Sequence, residues 1–306
     1  MKKLIEQYLY HCETRKNLNS KTLKAYRIDL SQFVSFAISK DADSLSKTLL
    51  TDYISLLHNT YQPKTVKRKI ASLKTFSHYL YTEDLIEMDP FQKIVLCYRE
   101  PKRLPKTIPS STIQLFLTSL YDAHSSAKSK FQRQTALRNI AVIELLFATG
   151  MRISELCSLK IEDLDLQNHR VLVYGKGAKE RVIYIGNTEV LSLLADYMST
   201  CCDISDSQDW LFLNQRSHRL TEQSVRNMIV KHAKSAGIDL HLTPHMFRHS
   251  FATLLLESDV DIRYIQKILG HSSITTTEIY TQVSTHKQQE IMNTKHPRNK
   301  MRMNRG

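Results

Sequence analysis

The sequence predicts a mainly α-helical protein of two domains, with a small antiparallel β-sheet in the second domain. Apolar residues recur at helical spacing along most of the chain, and two short alternating runs of β-branched residues lie between residues 171 and 185. A segment with three prolines separates the two halves at residues 98–109. The length of 306 residues is enough for two domains that each bury a core.

Residues 1–97 are expected to form a small helical domain. One helix is predicted over residues 21–37, with Ser20 as its cap, and others are predicted over residues 51–58 and 63–80. Basic side chains occupy the polar face of the third helix, at Lys64, Lys67, Arg68 and Lys74. A solvated face is the ordinary explanation, but few acids on this helix balance the charge, which favours contact with phosphate groups.

The segment over residues 98–109 is predicted to be an extended, stiff and cationic linker that includes Lys102 and Arg103. Each proline restricts the residue before it to extended backbone. After this linker we expect a second domain over residues 110–286, whose first helix is capped by Ser110 or Ser111. A tail over residues 287–306 follows, with six basic residues against one acid.

The overall charge favours a nucleic-acid partner. It does not indicate DNA in particular, because ribosome-associated and other RNA-binding proteins share such a charge. The formal net charge is +13 and the sequence pI is about 9.4, so the chain is expected to favour polyanions. No apolar run approaches membrane-spanning length and the start of the chain is too polar for a signal peptide, which predicts a cytoplasmic protein without a membrane partner. The five cysteines lack C-x-x-C spacing, so neither a zinc site nor a disulfide framework is predicted.

Arg152 follows a predicted apolar helix over residues 137–148 and the break at Thr149-Gly150. A surface ion pair with Glu155, three residues further on, would explain it without a functional role. Its position directly after a buried helix and beside a glycine instead favours a guanidinium held in place. A planar guanidinium can bind two phosphate oxygens and does not lose its charge.

Lys176 lies in a glycine-rich turn between the two predicted strands, over residues 171–174 and 181–185. Solvated turn lysines are common, and that explanation covers the neighbouring Lys179. A loop lysine that reaches a phosphodiester could act as a general acid for a leaving oxygen.

The last third of the chain holds a set of cationic and nucleophilic side chains. Thr243 is placed to cap a helix on which His245, Arg248 and His249 share one face. A short amphipathic helix over residues 261–269 follows and ends at Gly270, and His271 and Tyr280 come after it.

The residue types in this set indicate a chemistry. His245 and His249 could bind zinc, but the H-E-x-x-H pattern needs a glutamate where Met246 stands. Arginines, a lysine, histidines and a tyrosine are what metal-free attack on a phosphodiester requires, because the cations neutralise the phosphate oxygens while the tyrosine hydroxyl takes up the phosphoryl group.

The motifs together resemble the tyrosine recombinase family, most closely the Xer-type recombinases and the compact phage or transposon integrases. The resemblance runs from about residue 140 to residue 283, with motifs in the family's order and at its spacings. It is carried by Ala148-Thr149-Gly150-Met151-Arg152-Ile153-Ser154-Glu155-Leu156, Gly175-Lys176-Gly177, His245-x-x-Arg248-His249, Leu269-Gly270-His271 and Tyr280.

This resemblance implies the site and the architecture. The catalytic residues would be Arg152, Lys176, His245, Arg248, His271 and Tyr280. Glu155 and His249 would support them, and no metal or cofactor would be needed. The N-terminal domain would be the core-binding half of a C-shaped clamp on DNA, with contacts from Lys64, Lys67, Arg68, Lys74, Lys102 and Arg103.

The implied activity is site-specific recombination of double-stranded DNA through a 3′-phosphotyrosine and a Holliday junction. Family members act as tetramers on paired sites, so a homotetramer, alone or with a second recombinase, is expected. A type IB topoisomerase-like enzyme and a catalytically silent DNA-binding protein remain alternatives. The residues do not separate a chromosome-dimer resolver from a mobile-element integrase, and they do not specify the target sequence.

Overall fold

The computed structural model describes residues 1–42, 44–95, 106–175, 180–202 (backbone only for 201 and 202) and 209–270. In these residues the chain is mainly helical and has one antiparallel sheet of three strands. The predicted fold class is therefore confirmed. The chain divides into two compact units, Met1–Lys102 and Arg103–Gly306. Most of the predicted linker, with Lys102 and Arg103, lies outside the described residues.

The N-terminal unit consists of helices and a short 3-10 turn around a core of aliphatic and aromatic side chains. Tyr8, Phe33 and Phe76 are fully buried at the centre, each from a different helix. The elements are α1 (Lys2–Thr14), α2 (Ser20–Ser39), α3 (Lys47–Thr60), α4 (Pro63–Thr82) and the 3-10 turn Pro90–Lys93. The sequence analysis did not predict α1, and α3 is longer than predicted.

The cap of α2 differs from the prediction. Asn19, in extended backbone, accepts a hydrogen bond through Oδ1 from the Thr22 amide at 2.9 Å. Ser20 is already the first helical residue, so the predicted Ser20 cap is wrong. Asparagine is at least as good an N-cap as serine, and the extended conformation just before the helix is what a cap requires.

The C-terminal unit has a buried central helix with other helices and the sheet around it. The elements are α5 (Ser110–Ser125), α6 (Lys130–Thr149), α7 (Ile153–Leu156), a 3-10 turn (Ile161–Asp163), β1 (Leu164–Asp165), β2 (Arg170–Tyr174), β3 (Glu180–Tyr184), α8 (Thr188–Cys202), α9 (Glu222–Ser235), α10 (Pro244–Glu257) and α11 (Ile262–Leu269). Pro109 occupies the N-cap position of α5 without a side-chain bond. The predicted cap at Ser110 or Ser111 is therefore wrong, because both serines are already inside the helix.

The sheet positions one side chain that matters for the site. Strand β2 pairs antiparallel with β1 and β3, so that Val171 lies opposite Ile183 and Val173 lies opposite Arg181. Val171, Val173 and Ile183 are buried in the core. Because side chains alternate along a strand, Arg181 shares the inner face with Ile183.

Helix α6 delivers the chain to the site. In its middle, side chains such as those of Ile140, Ile143 and Leu146 are buried in the core. It ends at Gly150, whose φ of 60° is left-handed, a conformation that glycine adopts at little cost. The carbonyl of Leu146 accepts a hydrogen bond from the Gly150 amide. Three residues later α7 begins, with Arg152 as its N-cap.

Two further findings concern the described residues. No helix among them is both long enough and apolar enough to cross a membrane. Cys12 and Cys157 are buried free thiols.

Candidate active site

Arg152 is the N-cap residue of the short helix α7 and is held there by Glu155. The Glu155 carboxylate accepts a hydrogen bond from the Arg152 amide at 2.8 Å and another from Nη1 of the Arg152 guanidinium at 2.8 Å. The Arg152 side chain is still 36% exposed. The ion pair with Glu155 that the sequence analysis considered is present, and it leaves the guanidinium fixed but accessible. Phosphate binding by Arg152 stays a prediction.

Glu155 is the buried anion of the site. Its side chain is only 5% exposed, and besides Arg152 it accepts hydrogen bonds from Arg181, at 3.1 Å from Nη1 and 2.7 Å from Nη2. Burial raises the pKa of Glu155, but the hydrogen bonds from Arg181 and Arg152 outweigh it and leave that pKa below its ordinary value. Glu155 is therefore ionised at neutral pH and holds two arginines.

Arg248 lies on the buried side of α10. It is 3% exposed, and its Nη1 and Nη2 donate to the carbonyls of Gly150 at 2.7 Å and Leu269 at 2.8 Å. The sequence analysis placed Arg248 on one cationic helix face with His245 and His249, whereas the structure buries its side chain. The structure differs because the last carbonyls of α6 and α11 lack partners within their helices, and a guanidinium fork satisfies both.

The end of α11 is held by a second arginine. Nε of Arg181 donates to the carbonyl of Ile268 at 2.8 Å, next to the Leu269 carbonyl that Arg248 binds. Gly270 then adopts a φ of 66°, and a Cβ at this residue would lie 3.0 Å from the Arg181 side chain. The predicted end of this helix at Gly270 is confirmed.

The two histidines of α10 stack on each other. The predicted Thr243 cap is confirmed, because its hydroxyl accepts a hydrogen bond from the Met246 amide. The rings of His245 and His249 have centroids 5.9 Å apart and an interplanar angle of 20°. Burial, followed by the charges of His245 and Arg248, lowers the pKa of His249 to about 4. His249 is therefore neutral at pH 7, while His245 is exposed.

The structure thus brings together Arg152, Glu155 and Arg248 of the predicted site. Lys176, His271 and Tyr280 lie outside the described residues. The sequence analysis missed Arg181. A signal was available, because Arg181 alternates with Ile183 and Ile185 and so belongs to the buried face of its strand, where a charged side chain needs a partner.

The predicted basic row on α4 is exposed at Lys64, Lys67, Arg68 and Lys74. Arg68 is also paired with the buried carboxylate of Asp29 on α2. The next residue, Lys69, is only 4% exposed, lies 3.1 Å from Asp29 and contacts Gln32. The sequence analysis did not anticipate this inward lysine.

A cavity of about 810 Å³ elsewhere in the C-terminal unit contains none of the predicted site residues. Glu144, Glu189 and Asp196 line it together with apolar side chains. An acidic lining repels phosphate, so this cavity is not a candidate for the phosphodiester site.

Comparison with known proteins decides the family. The profile described as Phage integrase family matches residues 117–287, and the one described as Phage integrase, N-terminal SAM-like domain matches residues 5–84. The chain belongs to the phage integrase family. The resemblance that the motifs predicted is confirmed.

Relatives of this phage integrase family member are named tyrosine recombinases. It is 50% identical over 294 residues to a tyrosine recombinase of Agathobacter rectalis, covering 96% of each chain. It is 34% identical to the tyrosine recombinase XerD of Listeria innocua, covering 97% of this chain and 100% of the relative. The protein is therefore a site-specific tyrosine recombinase, and this interpretation stands over a topoisomerase-like enzyme or a silent DNA-binding protein.

A solved structure of similar fold is the XerH site-specific recombinase bound to its palindromic difH substrate in a post-cleavage complex. Its TM-score is 0.74 at 24% identity, covering 95% of this chain and 84% of the other. This likeness shows that the tyrosine recombinase described here shares the family fold.

Proposed function

We propose that this recombinase cuts and rejoins double-stranded DNA at a specific site through a 3′-phosphotyrosine at Tyr280 and a Holliday junction. The observation that carries the proposal is the cluster around Glu155. An ionised, buried carboxylate holds Arg152 accessible to solvent, and Arg248 is fixed by its bond to the carbonyl of Gly150, which is two residues before Arg152 in the chain. Two fixed positive charges of this kind stabilise the charge that develops on an attacked phosphate.

The proposed cleavage step is a direct displacement at phosphorus. The Tyr280 hydroxyl oxygen forms the new bond to phosphorus as the bond to the 5′ oxygen breaks. His245 takes the tyrosine proton, Lys176 gives a proton to the leaving 5′ oxygen, and His271 contacts a phosphate oxygen. The neutral state of His249 at pH 7 suits a supporting residue that does not add a competing charge beside His245.

The proposed rejoining step reverses this chemistry on a different strand. A 5′ hydroxyl from the partner duplex attacks the phosphotyrosine and releases Tyr280. Since the phosphotyrosine keeps the energy of the broken phosphodiester, the reaction needs neither a nucleotide triphosphate nor a metal ion. A second round of the same steps resolves the junction.

The proposed partner is a DNA recombination site in the cytoplasm. The net charge of +13 and the basic row on α4 support phosphate contact along the duplex, and the XerH relative is described as bound to a recombination substrate. Each broken strand of two paired duplexes needs its own tyrosine, so we propose a homotetramer, alone or with a second recombinase.

The experiment that tests this function is capture of the covalent intermediate. Duplexes selected for binding from a random-sequence library are nicked near their centre, so that cleavage releases a short fragment and traps the adduct. Wild-type protein and Tyr280→Phe are then compared on a denaturing gel. We expect a protein–DNA adduct with the wild type and none with Tyr280→Phe.

The matched control is Tyr264→Phe, because Tyr264 is 67% exposed on α11 and has no proposed role. This variant should form the adduct as the wild type does. An adduct that persists in Tyr280→Phe would remove Tyr280 as the nucleophile. Tight binding without any adduct in the wild type would contradict the proposed cleavage chemistry on those sites.

A further inference from the structure

We propose that Arg181 is a positioning residue for recombination, which fixes Glu155, and through it Arg152, to the end of α11. The inference rests on the proposed function, in which Arg152 binds the attacked phosphate. Arg181 would not touch DNA itself. Its role would be to keep the accessible arginine and the segment that leads into His271 in one fixed arrangement.

The contacts of Arg181 join three parts of the chain. From the inner face of β3, its Nη1 and Nη2 bind the two carboxylate oxygens of Glu155 at 3.1 and 2.7 Å. Its Nε donates to the carbonyl of Ile268 at 2.8 Å. The side chain is 12% exposed. One guanidinium therefore ties the start of α7 to the end of α11.

This geometry requires an arginine. The planar fork supplies parallel donors for both carboxylate oxygens and a further donor from Nε that points in another direction. The single ammonium group of a lysine keeps the charge but does not reach Glu155 and Ile268 in the same way. A substitution by lysine should therefore preserve part of the effect and lose the rest.

The charge of Arg181 also matters for Glu155. Among the described residues, two charged groups contact this carboxylate. They are Arg152, from the start of α7, and Arg181, from β3. Burial favours the protonated acid, and the two arginines oppose it. Without Arg181, the pKa of Glu155 should rise. A protonated Glu155 would hold the Arg152 guanidinium less firmly.

The test measures single-turnover adduct formation and DNA affinity between about pH 6 and pH 9. Wild type, Arg181→Met and Arg181→Lys are compared on the nicked duplexes. We expect Arg181→Met to bind DNA as the wild type does but to cleave about a hundredfold more slowly at pH 7, since a misplacement of about 1 Å can cost that much. Its rate should fall further as the pH is lowered, and Arg181→Lys should recover part of the rate.

The matched control is Arg170→Met. Arg170 is on the neighbouring strand β2 and also pairs with a carboxylate, that of Asp165 at 2.9 Å, but its side chain is 47% exposed. We expect its rate and pH profile to be those of the wild type. The double variant Glu155→Gln, Arg181→Met should be slow but lose the added pH dependence, because glutamine does not titrate.

The outcomes separate this inference from the proposed function. A wild-type rate and pH profile in Arg181→Met would overturn the inference, while wild-type adduct formation would leave the proposed function intact. A loss of cleavage rate in Arg181→Met that is the same at every pH, and that Arg181→Lys does not relieve, would mean a purely structural role. That result would also overturn the inference. If Arg181→Met does not fold, Arg181→Lys decides, and wild-type cleavage by that variant would count against the inference.

Discussion

Gly150 meets three separate structural requirements at a single residue. Its φ of 60° is left-handed, and a Cβ there would lie 2.3 Å from Cδ1 of Phe251 and 3.0 Å from Cδ2 of Leu269. Its carbonyl also accepts the bond from Arg248. The same residue therefore ends α6, packs against α10 and α11, and anchors a candidate catalytic arginine.

We predict that Gly150→Ala destabilises the C-terminal unit by about 1–2 kcal/mol for the left-handed backbone and by about 1–3 kcal/mol more for overpacking. Urea unfolding followed by Trp210 fluorescence would measure the change. Gly237 has a φ of 64° and open space around its Cβ position, so Gly237→Ala should show the backbone cost alone. Equal losses in the two variants would contradict the packing argument.

His249 gives the C-terminal unit a pH dependence with a definite sign. Its folded pKa is about 4, below the ordinary value of 6.5, because burial and the nearby His245 and Arg248 disfavour its charged form. Between these values the unfolded chain binds the extra proton. Its contribution to stability is therefore complete above about pH 6.5 and is lost as the pH falls towards 4.

Between about pH 6.5 and pH 4 the wild type should lose stability on the order of 2 kcal/mol through His249. We predict that His249→Gln lacks this loss. Chemical unfolding at several pH values would show this as a shallower pH profile than that of the wild type. His241→Gln is the comparison, since His241 is exposed and is not among the groups that lower the pKa of His249. If wild type and His249→Gln lost stability in parallel over this interval, the shifted pKa of His249 would be refuted.

At the scale of elements, α2 and α4 are joined by a buried ionic cluster. Asp29 is 3% exposed and Lys69 is 4% exposed, and Arg68 and Ser72 also bond to the Asp29 carboxylate. The ammonium of Lys69 lies 4.8 Å from the Tyr61 ring centroid as well. This cluster fixes which face of α4 is buried and leaves Lys64, Lys67 and Lys74 on the exposed face.

We predict that Asp29→Leu destabilises the N-terminal unit by about 3–5 kcal/mol, because it leaves a buried lysine without its carboxylate. Hydrogen exchange of the α2 and α4 amides in the full chain would measure this. The double variant Asp29→Leu, Lys69→Met should recover most of the loss.

The exposed pair of Arg27 with Glu6 is the control, with side chains 55% and 61% exposed. Glu6→Ala should cost less than about 1 kcal/mol. A similar cost for Asp29→Leu would mean that the buried pair contributes no more than a surface pair.

The elements that were predicted from the sequence are those with long, regular periodicity. Helices α2 and α4 and the β2–β3 hairpin follow directly from apolar spacing, and Arg152 and Glu155 were located by their motif. The sequence analysis missed β1 and α7, which have two and four residues, too few for a period to show. It also made no prediction for the longer helices α1, α8 and α9. Arg181 and Lys69 were missed because a buried charge is explained by a partner distant in sequence, which periodicity does not reveal.

At the scale of the whole molecule, we expect cleavage of a site and exchange between sites to depend on different parts of this basic chain. The chain has a net charge of +13, and residues 287–306 alone hold six basic residues against one acid. Cleavage of one site requires one subunit and its phosphate contacts. Under the proposed function, exchange between sites requires contacts between subunits as well, for which we propose the first residues of this tail.

We predict that deletion of residues 286–306 abolishes Holliday junction formation and spares cleavage of a single nicked site. Native gels of paired sites would detect the junction, and denaturing gels would detect the adduct. A shorter deletion of residues 298–306 is the control and should leave both activities. Junctions formed at the normal level by the longer deletion would exclude the tail as the subunit contact.

The attachment of α11 has a consequence for how this protein tolerates sequence change. Arg181 and Arg248 grip the main chain at Ile268 and Leu269 through carbonyl oxygens, which every amino acid possesses. The side chain at position 268 can therefore change to another apolar one without loosening this anchorage, because only its packing against the core constrains it. Gly270 has less latitude, because its left-handed backbone disfavours other amino acids and a Cβ there would lie 3.0 Å from the Arg181 side chain. Mutational tolerance should thus change abruptly between two residues of one short segment.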